Sequence, residues 1–201
     1  MKGKIQNMVA EMANAREKIS SAEVSKEARP LVALIKKSKY LLVGGQALKA
    51  YIEPRYTADY DFMVDKGGFK KIIDYLELNS VKYHQSEMAF INIPSLKIDI
   101  VNADYHPLES AILRDLPHRR HKGFDIPTST GLAALKYLSA VGSHRRIDEK
   151  YQDAADFSKL VLEGKVNLDL LKSLISNYLP GMAEQFSITL GHILKGGGFA
   201  L

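Results

Sequence analysis

Two aspartates at alternate positions, Asp59 and Asp61, form the first candidate site in this chain, within the segment RYTADYDFMVD. The segment Asp59–Asp65 has the composition of a β-strand, and alternate side chains of a strand point to the same face. Two carboxylates on one face repel each other, and the usual stabilising partner is a hard cation with oxygen ligands, typically Mg²⁺. Taken alone, the pair is more typical of a surface loop or strand end than of a metal site.

Two glycines, Gly44 and Gly45, precede this pair in the segment LLVGGQAL. The pattern predicts a buried strand, Tyr40–Val43, then a turn and a helix over Gly45–Tyr51. Glycines that open a helix present backbone N–H groups and the positive end of the helix dipole, which together can bind phosphate. A phosphate-binding turn followed by a carboxylate pair indicates phosphoryl or nucleotidyl transfer.

A third carboxylate, Asp99, lies between Ile98 and Ile100 in the predicted strand Leu96–Val101. An unpaired charged aspartate buried in a central strand is unfavourable by several kcal/mol. A metal site shared with Asp59 and Asp61 would compensate for this, since such carboxylate sets can hold two Mg²⁺ ions. The ordered set therefore favours a metal site over a surface pair.

The elements that must position these residues indicate a mixed α/β (α+β) core followed by helices. Further strands are predicted at Val81–His84, Met88–Ile93 and, as an edge strand, Arg119–Ile126. Helices are predicted at Leu31–Ser38, Phe69–Leu78, Leu108–Leu116, Asp148–Leu162, Leu168–Tyr178 and Gly181–Leu194, and a further helix is predicted to be capped by Ser129 or Thr130 and to run to Val141. We expect a basic amphipathic helix over residues 1–30, the core over residues 31–126, a helical region over residues 127–195 and a flexible tail over residues 196–201.

The composition fits a single domain without covalent cross-links. The chain has 201 residues, of which 46% are hydrophobic, and no cysteine. The lack of cysteine excludes disulfides and favours a reducing, cytoplasmic location. No apolar run approaches the roughly 20 residues that span a bilayer, and the N-terminus lacks the apolar stretch of a secretory signal. We therefore expect no membrane association.

The net charge of +5 is unevenly distributed. Residues 1–40 contain nine lysines and arginines against four acidic residues, whereas the remainder is balanced. This arm can contact RNA or an acidic partner, or it can be the solvated face of a helix. A second basic run, from Arg114 to Lys122, can follow a nucleic-acid backbone or protect an edge strand by its charge.

Four segments in order, VGGQAL, RYTADYDFMV, LKIDIV and LAALKYLSAVGSHRRIDEKYQDAADFSKLV, resemble the polymerase-β-like nucleotidyltransferases. The resemblance is closest to the minimal nucleotidyltransferases of the abortive-infection toxin group, and covers roughly Leu31–Leu162. It implies a nucleotidyltransferase-fold mixed sheet with flanking helices and a C-terminal helical bundle. It also implies Mg²⁺ or Mn²⁺, an NTP donor, a tRNA or protein acceptor, and a growth-inhibiting toxin with an antitoxin partner.

The same resemblance implies roles for individual residues. Three aspartates would be catalytic metal ligands: Asp59, Asp61 and Asp99. Five residues would bind the nucleotide: Gly44, Gly45, Gln46, Lys136 and Asp153. By residue type alone, Lys136 on its apolar helix can also be a lysine whose stem packs at the helix edge.

Two positions depart from the family pattern. Gln46 stands where Ser or Thr is usual, so the turn offers an amide in place of a hydroxyl. Gln152 stands where a basic residue usually precedes the late Asp-x-x-Asp element, Asp153 to Asp156. That basic role either is absent or passes to a nearby residue: Lys150, Arg145 or Arg146.

The sequence therefore predicts a metal-dependent nucleotidyltransferase that moves an NMP from an NTP to a hydroxyl acceptor. One alternative is a nucleotide- or RNA-binding module of the same fold that has lost turnover. Another is a small-molecule nucleotidyltransferase of the antibiotic-modifying kind. The first interpretation requires the carboxyl groups of Asp59, Asp61 and Asp99 to converge.

Overall fold

A computed structural model describes residues 24–53, 57–143 and 145–199, so the predicted N-terminal helix lies almost wholly outside the described residues. The strands are β1 (Tyr40–Val43), β2 (Tyr60–Val64), β3 (His84–Ser86), β4 (Phe90–Ile93), β5 (Ile98–Asn102), β6 (His118–His121) and β7 (Phe124–Pro127). The helices are α1 (Arg29–Ile35), α2 (Gly44–Leu48), α3 (Lys66–Leu78), α4 (Pro107–Arg114), α5 (Ser129–Val141), α6 (Ile147–Glu163), α7 (Leu168–Tyr178) and α8 (Ala183–Leu194).

Five strands form one mixed sheet in the order β1-β2-β5-β4-β3. The central pair, β2 and β5, is parallel, and the other neighbours are antiparallel. A parallel pair needs a long crossover, which here runs through α3, β3 and β4. The mixed α+β fold class predicted from the sequence is confirmed.

The two faces of the sheet differ at the central strands. Helices cover one face, and the other face forms a wall of a cleft. Phe62, Val64 and Ile100 are completely buried, and α3 packs against both β2 and β5 on the covered face. Alternate residues of the same strands point the opposite way. This alternation puts the acidic residues of β2 and β5 on the cleft face.

The C-terminal helices pack against one another around an aromatic cluster. Tyr137 of α5 lies 5.6 Å from Phe157 of α6 and 4.9 Å from Phe186 of α8, measured between ring centroids. Phe199, in the tail predicted to be flexible, joins the cluster 5.8 Å from Tyr137. None of the helices in the described part of the chain is long and apolar enough to cross a membrane.

The single edge strand predicted over Arg119–Ile126 is wrong. The segment forms a hairpin, β6 and β7, that packs beside β1. Lys122 and Gly123 lie at its tip with φ of 47° and 79°, and positive φ at both central residues is the mark of a type I′ turn. The charged composition obscured this turn in the sequence.

Three smaller boundary predictions also differ from the structure. The residues from Val81 to Tyr83 are not a strand, and β3 begins at His84. Helix α5 is capped by Thr128, whose side chain accepts a hydrogen bond from the Gly131 amide, and not by Ser129 or Thr130. A short 3₁₀ turn, Pro180–Met182, precedes α8, because the proline ring and the following glycine interrupt regular α-helix.

Candidate active site

A cleft of about 730 Å³ separates the sheet from helices α5 and α6. Its sheet wall carries the carboxylates of β2 and β5, and its helical wall carries Lys136, Arg145 and Asp153. Seven of the predicted site residues line it: Gly44, Gly45, Asp59, Asp61, Asp99, Lys136 and Asp153. Gln46 is the exception.

The carboxylates of the sheet wall are placed by strand register. Asp61 of β2 faces Asp99 across the parallel ladder, so both side chains leave the same face of neighbouring strands. Asp59 comes two residues before Asp61 and is exposed at the cleft mouth. The sequence had predicted this shared face for the Asp59 and Asp61 pair, and the register adds Asp99 to it.

Gly44 is required by the way Asp61 packs. A Cβ atom at Gly44 would lie 1.9 Å from Asp61 Oδ2, and the residue has a φ of +60°. No side chain fits there without displacing the carboxylate, and only glycine adopts this φ without strain. The glycine turn and the carboxylate are therefore one packed unit.

Burial and, to a lesser degree, neighbouring negative charge raise the pKa of Asp61 and Asp99, which are half-buried. Burial and the nearby Asp99 raise the pKa of Asp61 to about 6. Burial also raises the pKa of Asp99, although the Asn92 side-chain amide, which donates to Asp99 Oδ1 at 2.7 Å, acts in the opposite direction. The sheet wall thus carries charge that no neighbouring group among the described residues fully compensates.

The donor chemistry of this wall fits a hard divalent cation, since three carboxylates offer only oxygen. Among the described residues, however, no three His, Cys, Asp or Glu side chains stand close enough together to enclose a metal ion. Asp59, Asp61 and Asp99 share one wall of one cleft, but they do not form a closed ligand set. Side-chain rotation would be needed to complete a site.

The helical wall is held by a buried ion cluster. Lys136 Nζ lies 2.6 Å from Asp153 Oδ1 and 2.9 Å from Asp156 Oδ2, and all three side chains are under 10% exposed. Asp153 also approaches Arg145 Nη1 at 3.5 Å through Oδ2, which has no hydrogen-bond partner among the described residues. Lys136 is therefore not a lysine packed along the helix edge, but the cation of a cluster at the cleft wall.

Gln46 points away from the cleft. Its side chain is buried, and Nε2 donates to the Thr57 carbonyl at 3.3 Å. Thr57 lies directly over Gly45, where a Cβ would meet three Thr57 side-chain atoms at 2.9 Å, including Oγ1. Thr57 also lines the cleft, so a hydroxyl stands beside the glycine turn although Gln46 offers none.

Sequence reasoning missed three carboxylates that line the cleft, Glu87, Glu109 and Glu149, of which Glu109 lies in the first turn of α4. Burial raises the pKa of Glu109 to about 7, and nearby Arg145 acts in the opposite direction. Nothing in the segment HPLESAIL marks Glu109 as different from a solvated helix residue. Its position depends on how α4 packs against the sheet, which local sequence does not specify.

Tyr51 and Tyr60, which flank the glycine turn and the aspartate pair in the sequence, make packing contacts. Tyr51 donates to the Pro127 carbonyl at 2.5 Å, and Tyr60 stacks on Phe62 with ring centroids 6.2 Å apart. Both observations agree with packing roles. Arg55, Tyr56 and His144 lie outside the described residues.

Comparison with known proteins gives little independent guidance. No protein-family model and no curated protein matches this chain. Among solved structures, the chain is similar to the Megavirus polyadenylate synthase, with a TM-score of 0.44 and 13% sequence identity. The match covers 81% of this chain and 37% of that one, so the chain spans little more than a third of the length of that structure.

Proposed function

We propose that this chain is a metal-dependent nucleotidyltransferase that moves a nucleoside monophosphate from an NTP to an acceptor hydroxyl and releases pyrophosphate. The observation that carries the proposal is the register that sets Asp61 beside Asp99 on the cleft wall, with Gly44 packed against Asp61. Repelling carboxylates on one wall and two cations opposite are complementary to the two parts of a metal–NTP complex, the cation and the triphosphate.

Each wall would have its own task. Asp59, Asp61 and Asp99 would hold Mg²⁺ or Mn²⁺, which when bound would offset the charge of the triphosphate and of the transition state. Lys136 and Arg145 would face the phosphates, and the backbone of Gly44 and Gly45 would allow the triphosphate to approach closely. Asp153 would keep both cations in place from the protein side.

The bond changes follow from this placement. The acceptor oxygen forms a bond to the α-phosphorus while the bond from that phosphorus to the pyrophosphate oxygen breaks. The hydroxyl proton must leave the acceptor, and Asp99 Oδ2 would take it, since Oδ1 already accepts the Asn92 amide.

The acceptor, partner and biological role are further parts of the proposal. The family resemblance supports a tRNA or protein acceptor, a growth-inhibiting toxin activity and an antitoxin partner. Donors and acceptors of these kinds are cytoplasmic, which supports a cytoplasmic location.

One alternative has a specific observation in its favour. The three aspartates do not form a closed ligand set within the described residues, as expected for a module that binds nucleotide or RNA without turnover. Against it, a retained pair of repelling carboxylates, Asp61 and Asp99, has no evident use in a protein that only binds.

The deciding experiment is transfer of label. The protein is incubated with each α-³²P-labelled NTP, with Mg²⁺ or Mn²⁺, and with total RNA and protein from the host, and the Asp59→Asn/Asp61→Asn variant runs in parallel. We expect label in one acceptor class with the wild type and none with the variant. Metal-dependent NTP binding without label in any fraction would favour the inactive module.

A further inference from the structure

A basic surface lies on the β6–β7 hairpin and the neighbouring end of α2, separate from the cleft. It consists of Lys49, Arg119, His121 and Lys122, and we call it the hairpin surface. Arg119 and His121 alternate along β6 and therefore share a face, and Lys122 occupies the exposed turn. None of the four residues lines the cleft.

The hairpin surface is held in place by neighbouring aromatic and backbone contacts. The Arg119 guanidinium lies over the Tyr51 ring at 5.3 Å from its centroid, and Tyr51 is fixed by its hydrogen bond to the Pro127 carbonyl. This cation–π contact, together with a side-chain hydrogen bond between Arg119 and Tyr51, holds the guanidinium in one position. Arg119 is thus an ordered cation rather than a freely moving one.

Like charges accumulate on this surface. Burial and three cations, Lys122, Arg119 and Lys49, lower the pKa of His121. Burial and Lys122 lower the pKa of Lys49. A lowered pKa favours neutral His121, so the positive charge is carried by Lys49, Arg119 and Lys122, which would gain from a polyanion that binds all three at once.

The hairpin surface is close to the glycine edge of the cleft. Lys49 directly follows α2, whose first residue, Gly44, lines the cleft. Five helical residues advance the backbone by about 7.5 Å, so a ligand on Lys49 is near the proposed phosphate position.

The described lining of the cleft is unfavourable for a nucleic-acid backbone. Among the residues that the structure describes, seven carboxylates line the cleft against two cations, Lys136 and Arg145; the carboxylates are Asp59, Asp61, Glu87, Asp99, Glu109, Glu149 and Asp153. A polyanionic acceptor would need its main contacts elsewhere and could offer only a terminus to the cleft. The hairpin surface supplies cations of the required sign next to that terminus.

We propose that the hairpin surface binds the phosphate backbone of a structured RNA and directs its terminal hydroxyl into the cleft. This rests on the proposed function for the hydroxyl's role, but not for RNA binding itself. An acidic protein segment is the competing partner. RNA fits better because its phosphates follow one another along the backbone, as the cations follow one another along the hairpin surface, and because a guanidinium group is well suited to phosphate.

The test compares two charge-reversed double variants. Arg119→Glu/Lys122→Glu alters the hairpin surface, and Lys70→Glu/Lys71→Glu makes the same charge change on exposed residues of α3. The probe is a fluorescent RNA hairpin with a single-stranded 3′ end, and its anisotropy is measured over a KCl series. We expect wild-type affinity in the α3 variant and at least a tenfold loss, about 1.4 kcal/mol, in the hairpin-surface variant.

A milder variant covers the case in which charge reversal disturbs folding. Arg119→Gln/Lys122→Gln removes two phosphate contacts, so the slope of log affinity against log salt should become shallower by about 1.4 to 1.8. An unchanged slope overturns the proposal, as do equal affinities of the two Glu variants. Preferential binding of polyglutamate over RNA also overturns it and indicates an acidic protein partner.

NTP binding separates this inference from the proposed function. Metal–NTP affinity is measured in the same variants and should remain at the wild-type value, because the altered residues lie outside the cleft. Wild-type protein that binds the RNA probe but no NTP would contradict the proposed function and leave the hairpin surface as an RNA site.

Discussion

The two walls of the cleft differ in how far the protein compensates their charges. On the helical wall, Lys136 is already paired with Asp153 and Asp156 at hydrogen-bond distance. On the sheet wall, Asp61 and Asp99 stand side by side, and burial together with their proximity raises the pKa of Asp61. One wall is compensated by the protein itself, whereas the other remains charged and crowded.

This difference indicates which wall a bound ligand stabilises more. A compensated cluster contributes to folding and can position groups without a ligand. A wall of repelling carboxylates is unfavourable in the empty protein and becomes favourable when a cation binds. We therefore expect variants of the sheet wall to affect catalysis more than stability, and variants of the helical wall to affect stability strongly.

The largest effect is expected from Asp59→Asn/Asp61→Asn. The variant should lower nucleotide transfer by more than about 10³-fold, since loss of a single transition-state stabiliser costs 10² to 10³-fold. It should also lose the thermal stabilisation by metal and NTP, which for the wild type is about 2.7 kcal/mol at a ligand concentration of 100 Kd. The measurements are label transfer and thermal melting.

A matched control changes two exposed acids on α3, Asp74→Asn and Glu77→Gln, which are outside the cleft. This control should behave as wild type in both measurements. Full ligand-induced stabilisation in the Asp59→Asn/Asp61→Asn variant would mean that the sheet wall does not bind the metal.

Variants of the helical wall should lower the free energy of unfolding. Lys136→Met leaves Asp153 and Asp156 buried without their shared cation, and removal of one partner from a buried ion pair typically costs about 3 to 5 kcal/mol. Urea denaturation at neutral pH measures the loss. The compensated variant Lys136→Met/Asp153→Asn/Asp156→Asn should recover much of it, because no buried charge then remains unpaired.

An equal loss of stability in the single and the triple variant would argue against this explanation. In that case the stem of Lys136, rather than its charge, would hold α5 against α6.

Local sequence was sufficient for elements with a strong pattern. Strand β1 and helix α7 have the predicted limits, Tyr40–Val43 and Leu168–Tyr178, because a continuous apolar run and a regular helical stripe each determine one structure. The hairpin β6–β7 was missed because its strands carry charge and are stabilised by packing on β1.

The site shows the same division between local and long-range information. Asp59 and Asp61 could be placed on one face by strand periodicity alone. The contact of Lys136 with Asp156 depends on the packing of α5 against α6, and the direction of Gln46 depends on the returning loop at Thr57. Neither contact leaves a periodic signal in the sequence, and the chemical roles of these residues remain predictions.

A third prediction concerns pH and the sheet wall. The pKa of Asp61 is raised from 3.8 to about 6 in the folded protein, so folding favours its protonated form. Its contribution to stability is complete below about pH 4 and is lost as the pH rises through 6. Since one pKa unit corresponds to about 1.4 kcal/mol, Asp61→Asn should gain up to about 3 kcal/mol over wild type between pH 4 and pH 7.

The measurement is urea denaturation of both proteins in EDTA at several pH values. The difference in unfolding free energy between variant and wild type is the informative quantity, because groups that do not interact with Asp61 cancel in it. A difference that stays constant from pH 4 to pH 7 would show that Asp61 is not electrostatically strained.

The smallest effect tests whether the glycine turn depends on Gln46. Gln46→Met keeps a side chain of similar length but removes the amide that donates to the Thr57 carbonyl. A neutral hydrogen bond contributes about 1 kcal/mol, so NTP affinity should weaken about fivefold if Thr57 must be held over Gly45 to meet the phosphates. Titration calorimetry with a non-hydrolysable NTP and Mg²⁺ measures this change.

Thr57→Ser, which keeps the hydroxyl, should bind nearly as wild type, whereas Thr57→Val should weaken binding at least as much as Gln46→Met. If Thr57→Val binds NTP with wild-type affinity, the hydroxyl beside Gly45 has no part in phosphate binding, and Gln46 only shapes the loop.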